Sequence, residues 1–137
     1  MATHLVDKSA WVRFTTSAIR DRWAAAIVEG RLAVTGVSML ETLLSARNSA
    51  EFSRVRTTLE LMPRVAVTEK IIDRALDVQG LMVGRGTHRA PSPADLILAA
   101  CAELNSLTVL HYDKDFELIA DVTGQPMEWI APAGSVA

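Results

Sequence analysis

Four acidic residues interrupt or border apolar segments of this chain: Asp7 in LVDKSAW, Glu41 in VSMLETLLSAR, Asp95 in PADLILAACAE and Asp113 in TVLHYDKDFELI. Each has an ordinary local use. Ser92-Pro93-Ala94-Asp95 fits a capping box, in which the acid satisfies a free backbone donor and complements the helix dipole. Asp113 and Asp115 suit a turn after a strand. At about 100° per residue Glu41 falls beside Val37 and Leu44, a boundary position whose stem packs while its carboxylate reaches water. Gathered at one place, the same acids would do chemistry. Like charges so close repel, so either one carboxyl holds its proton more tightly or a cation neutralises them. Hard oxygen donors favour Mg²⁺ or Mn²⁺ over Zn²⁺, and His4, His88 and His111 lack the spacing of zinc ligands. Magnesium retains waters and binds phosphate, which makes phosphoryl chemistry the natural use of such a site.

The elements that must bring these acids together alternate along the chain. HLV, RLAVT, RVAV, LTVLH and MEWI read as strands, the last at an edge. Between them, Ser9 to Glu29 reads as helical, with possible caps among Thr15, Thr16 and Ser17 and a stop near Gly30. A helix carries Leu40, Leu43 and Leu44; another runs from about Ser49 to Leu61, where Pro63 ends it; Thr68 caps one bearing Ile71, Ile72, Ala75 and Leu76. GRGTHRAPSP at 84–93 reads as a loop, Ser92-Pro93 opens the next helix, and FELIA a short one. Apolar strands without polar alternation, separated by helices, predict a three-layer α/β/α sandwich around a central, mostly parallel five-stranded sheet. In such sheets ligands bind beyond the carboxyl ends of strands where strand order reverses, so polar residues directly after strands, Asp7 and Asp113 among them, are the first candidates for a site. Ala99 and Ala102 share a face with Asp95 and would let that face approach other backbone closely.

The chain has 137 residues, half of them apolar, enough for one core and one domain, 1–137. Neither a leader segment nor a membrane span is readable, so the expected location is the cytoplasm. The lone Cys101 lies in an apolar run and reads as a buried structural thiol. A formal charge of −2 excludes a protein coated in positive potential but not a local basic patch. Arg13, Arg85 and Arg89 are the side chains expected to meet phosphate near the acids, whereas Trp11 and Trp23 read as core or interface residues.

In this order and at this length, LVDKSAW, LETL, PADLILAACAE and TVLHYDKDFELI resemble a PIN-domain ribonuclease of the VapC type, the toxin of bacterial toxin–antitoxin pairs. The likeness spans nearly the whole chain. It implies a PIN-like fold and Mg²⁺-dependent hydrolysis of RNA, leaving 5′-phosphate and 3′-hydroxyl ends. The implied catalytic set is Asp7, Glu41, Asp95 and Asp113, with Asp7 and Asp95 as principal metal ligands, Glu41 and Asp113 completing the pocket directly or through water, and Ser9, Asp115 and His111 in support. Lys8 and His111 depart from the family pattern, His111 standing where serine or threonine is frequent. The resemblance also implies a VapB-type antitoxin and a homodimer. Two other readings share these residues: a PIN-like RNA-processing nuclease without an antitoxin, and a non-catalytic acidic binding module. A haloacid-dehalogenase phosphatase would need an acid at Ser9, and a receiver domain an aspartate where RVAVTEK has Thr68 and Glu69.

Overall fold

The computed structural model describes residues 1–137. Its sheet contains β1 (His4–Val6), β2 (Leu32–Thr35), β3 (Arg64–Val65), β4 (Thr108–His111) and β5 (Met127–Trp129) in the order β3-β2-β1-β4-β5. Every neighbouring pair is parallel. The helices are α1 (Lys8–Trp11), α2 (Ser17–Val28), α3 (Gly36–Leu43), α4 (Ser49–Glu60), α5 (Glu69–Arg85), α6 (Pro93–Leu104) and α7 (Asp115–Thr123). No helix is long and apolar enough to cross a membrane.

The three layers follow from the two-residue period of a strand. Leu5, Ala33 and Val109 point to one face, where they pack with Ile71 and Met82 of α5, Ala99 of α6 and Ile119 of α7. Val6, Leu32 and Leu110 point to the other, against Ala10 of α1 and Ile19 and Trp23 of α2. On that second face Val34 joins Met39 of α3 and Leu59 of α4. Cys101 is fully buried, and burial pushes its thiol up to about 11, as expected of an inert structural group.

Three local readings are corrected. The segment from Ser9 to Glu29 is not one helix: α1 passes into a 3₁₀ turn at Val12–Thr15, and Thr16 is extended before α2 begins. The run at 84–93 is not all loop, because α5 continues through Gly80 and Gly84 to Arg85. It stops where Gly86 takes a left-handed φ of 71°. Of RVAV only Arg64 and Val65 join the sheet.

The site depends on strand order. β1 lies centrally, between β2 and β4, so chain progression reverses direction between β1 and β4. Beyond the carboxyl ends of strands at such a switch point lies the crevice at which parallel sheets bind ligands. Val6 pairs with Leu110, which sets Asp7 and the segment His111–Asp113 side by side at that crevice.

Candidate active site

Asp7 is the first residue beyond β1 and caps α1. Its backbone amide donates to Leu110 O at 2.9 Å, continuing the β1–β4 ladder. Its Oδ2 accepts the Ser9 amide at 2.9 Å and the Ser9 hydroxyl at 2.6 Å. Ser9 Oγ in turn accepts the Tyr112 amide at 2.9 Å, so one hydroxyl fastens the end of β1 to the end of β4. Arg13 braces this junction: its guanidinium donates to Ser9 O at 3.1 Å and lies 4.5 Å from the centre of the Tyr112 ring.

Asp95, Asp113 and Asp115 offer carboxylate oxygens that all lie within 4.8 Å of one another. Backbone capping holds the first two. Ser92 N–H donates to Asp95 Oδ2 at 3.0 Å while Asp95 N–H donates to Ser92 Oγ at 3.1 Å, the reciprocal box expected at the start of α6. Asp113 Oδ1 accepts the Asp115 amide at 2.9 Å and so starts α7. Asp113 N–H donates to His111 Nδ1 at 3.1 Å. Asp95 Oδ1, Asp113 Oδ2 and both Asp115 carboxylate oxygens make no hydrogen bond. Capping and pocket-lining are therefore compatible, since capping leaves each acid an oxygen free.

The charges interact. Burial, helped by the neighbouring charges of Asp7 and Asp113, pushes the Asp95 carboxyl up to about 6. Asp7 is likewise raised, by burial first and by Asp113, against the lowering pull of its Ser9 bonds. Asp115 is raised by burial and by Asp113. Mutual repulsion places Asp7 in the same electrostatic group as the other three, although it lies outside the tightest trio. Free anionic oxygens in a half-buried crevice suit a hard divalent cation, which would remove the repulsion that otherwise favours protonation. His4 is hydrogen-bonded to Glu128 at 2.8 Å and His111 is buried in the core, so neither adds a nitrogen ligand.

Glu41 is placed differently. Of its supposed buried neighbours Val37 is only half-buried and Leu44 is 81% exposed, and the face of α3 that enters the core carries Ser38 and Met39. The helix is rotated from the expected setting because Thr35 and Ser38 form its capping box and Ser38 is drawn inward. Glu41 Oε2 meets Lys8 Nζ at 3.4 Å. Since Lys8 follows Asp7 and α3 packs against both α1 and α6, Glu41 stands at the rim of the crevice, linked to it through a lysine. Arg85 and Arg89 are exposed and unpaired. Arg13 is instead committed to Ser9 and Tyr112.

The family model of the PIN domain matches residues 4–122. The chain belongs to the PIN-domain family. Within it, the chain is 48% identical over 127 residues to Ribonuclease VapC2 of Mycobacterium tuberculosis (strain CDC 1551 / Oshkosh), covering 90% of this chain and 89% of that one. It is 39% identical over 133 residues to Ribonuclease VapC51 of M. tuberculosis (strain ATCC 25618 / H37Rv), covering 97% and 96%. A DNA-bound VapBC structure from Salmonella typhimurium shares the fold, with a TM-score of 0.75 at 16% identity over 96% of this chain and 100% of that one. For this PIN-domain chain the reading from sequence underrated Asp115, which joins the closest trio. It missed Tyr112, whose backbone and ring organise Ser9 and Arg13. The D-x-D spacing of Asp113 and Asp115 was a usable signal for the first; an aromatic after a strand carries none for the second.

Proposed function

We propose that this PIN-domain chain is a Mg²⁺-dependent ribonuclease that hydrolyses RNA phosphodiester bonds and serves as the toxin of a VapBC-type pair. The observation that carries the reading is the grouping of Asp95, Asp113 and Asp115 at the sheet's switch point, with Asp7 at the adjoining end of β1. The naming of the 48%-identical relative as a ribonuclease supports it. Asp95, Asp113 and Asp7 would hold the cation, with Asp115 beside them and Glu41 reached through Lys8. Bound Mg²⁺, or Mn²⁺ in its place, supplies an activated water and neutralises charge on the phosphate. The chain's own groups do the rest. Ser9 orients Asp7, the Asp115 amide at the start of α7 orients Asp113, and Arg85 and Arg89 supply positive charge for the flanking phosphates.

The partner reading has its own surface. A groove of about 380 Å³ between the 3₁₀ turn, α2 and α4 is lined by Trp11, Phe14, Ile27, Val28, Leu61 and Met62, with Val28 and Leu61 more than 80% exposed. Apolar exposure of that kind marks a protein-binding surface. Solved relatives include complexes described as VapBC, and we assign the groove to a VapB-type antitoxin. The chain would act as one domain, as a homodimer, in the cytoplasm.

The test is Mg²⁺-dependent cleavage of RNA by the purified chain and by Asp7→Asn and Asp95→Asn. Loss of a ligand that positions the cation should forfeit several kcal/mol of transition-state stabilisation, more than about a hundredfold in rate. Circular dichroism should remain unchanged. Undiminished cleavage by both variants refutes the assignment.

A further inference from the structure

Of the residues around the aspartates, His111 has a burial and a bonding pattern that packing alone does not explain. Its ring is fully buried at the end of β4, with Phe116 at 5.1 Å and Trp129 at 4.8 Å between ring centres. Nδ1 accepts the Asp113 amide at 3.1 Å. A ring nitrogen that accepts carries no proton, so the imidazole is neutral with its hydrogen on Nε2. That Nε2 is buried without a partner. An unbonded buried donor costs stability, and an aliphatic side chain would avoid the cost in such apolar surroundings. What the imidazole contributes in return is the acceptor at Nδ1.

We infer that His111 is a positioning residue: by accepting the Asp113 amide through Nδ1 it sets the bend that delivers the Asp113 carboxylate to the aspartate group, and thereby sets cation affinity. The inference rests on the metal-binding reading proposed above. The bend is tied at both ends. Asp113 N–H is held by His111, and Asp113 Oδ1 holds the Asp115 amide, so one residue is fixed as donor and as acceptor within a single turn. Phe116, one residue further on, packs against the same imidazole and couples the ring to α7. Groups that orient a ligand in this way change metal affinity by about 10- to 100-fold when removed.

The experiment compares three substitutions in the full chain by calorimetric titration with Mn²⁺. In His111→Asn the amide oxygen takes the place of Nδ1; in His111→Gln it takes the place of Nε2; His111→Leu has no acceptor. The expected result is near-normal affinity for His111→Asn, within about threefold, and a loss of about tenfold or more for His111→Gln and His111→Leu. Normal affinity in His111→Gln or His111→Leu overturns the inference, as does a His111→Asn variant that folds and binds as weakly as His111→Leu. Nitrogen-15 spectra of the unaltered chain decide the matter where a variant fails to fold: an unprotonated Nδ1 is expected, and a protonated one overturns the inference. An unaltered chain that takes up no Mn²⁺ refutes the metal-binding reading itself, an outcome separate from any ranking of the three variants.

Discussion

One oxygen of Asp95 receives the Ser92 amide while its carboxyl shares a crevice with three other aspartates, so this residue supports α6 and strains the site at the same time. The strain has a definite pH sign. Its folded pKa of about 6 lies above the ordinary 3.8, so the folded chain holds this proton more tightly than the unfolded chain. The associated stability is fully present below about 3.8 and is lost as pH rises through about 6. Asp7 and Asp115 shift in the same direction. In a chelator, Asp95→Asn should therefore match the unaltered chain in melting temperature near pH 4 and exceed it near pH 7. Thermal unfolding across that range checks it, and a constant difference at all pH values would contradict it. The candidate acids themselves were legible in the sequence because each follows or interrupts an apolar run. Which of them meet was less legible: Glu41 lies on a helix whose rotation is set by the buried Thr35–Ser38 cap, and no periodicity of leucines reveals that.

At the scale of elements, one hydroxyl reinforces the junction between β1 and β4 where their ladder ends. Ser9 Oγ donates a hydrogen bond to Asp7 and accepts one from the Tyr112 amide. Ser9→Ala removes both bonds and leaves a part-buried amide without an acceptor, which should cost about 1–3 kcal/mol in denaturant unfolding and weaken Mn²⁺ binding as well. A variant with unchanged stability would show that the hydroxyl holds neither strand. The elements were read well where their ends carry strong chemistry: Thr68 and Ser92-Pro93 open helices as expected, and Gly86 closes one. They were read poorly where tertiary packing decides. Thr16 is the cap position of α2, among the residues offered as caps, yet its side chain makes no capping bond and nothing in the sequence marks the 3₁₀ turn before it; Gly84 is carried inside α5 by a helix already anchored through Ile71, Val78 and Met82.

For the whole molecule, the difficulty is electrostatic: a chain of formal charge −2 with an acidic crevice must hold a polyanion. Arg85 and Arg89, exposed at the end of α5 and in the loop before α6, are the local answer proposed here. Replacing both by alanine should weaken RNA binding and flatten its dependence on log salt by about 1.4, roughly 0.7 for each single-strand phosphate that an arginine no longer neutralises. Mn²⁺ affinity should not change. Binding with an unaltered salt slope would remove both arginines from the RNA surface. The layered architecture was readable because parallel strands buried on both faces are continuously apolar; the central place of β1 was not, since strand order depends on pairings between segments far apart in the chain.

That central place governs when the crevice can exist. Asp7 is made well before its partners at 95, 113 and 115 and before the strand that seats it, Thr108–His111. A half-made polypeptide holds one aspartate of the group and no neighbour for that side of β1. The crevice thus cannot assemble on β1 alone: it waits for Thr108–His111 to pair beside that strand and bring Asp113 and Asp115 to Asp7.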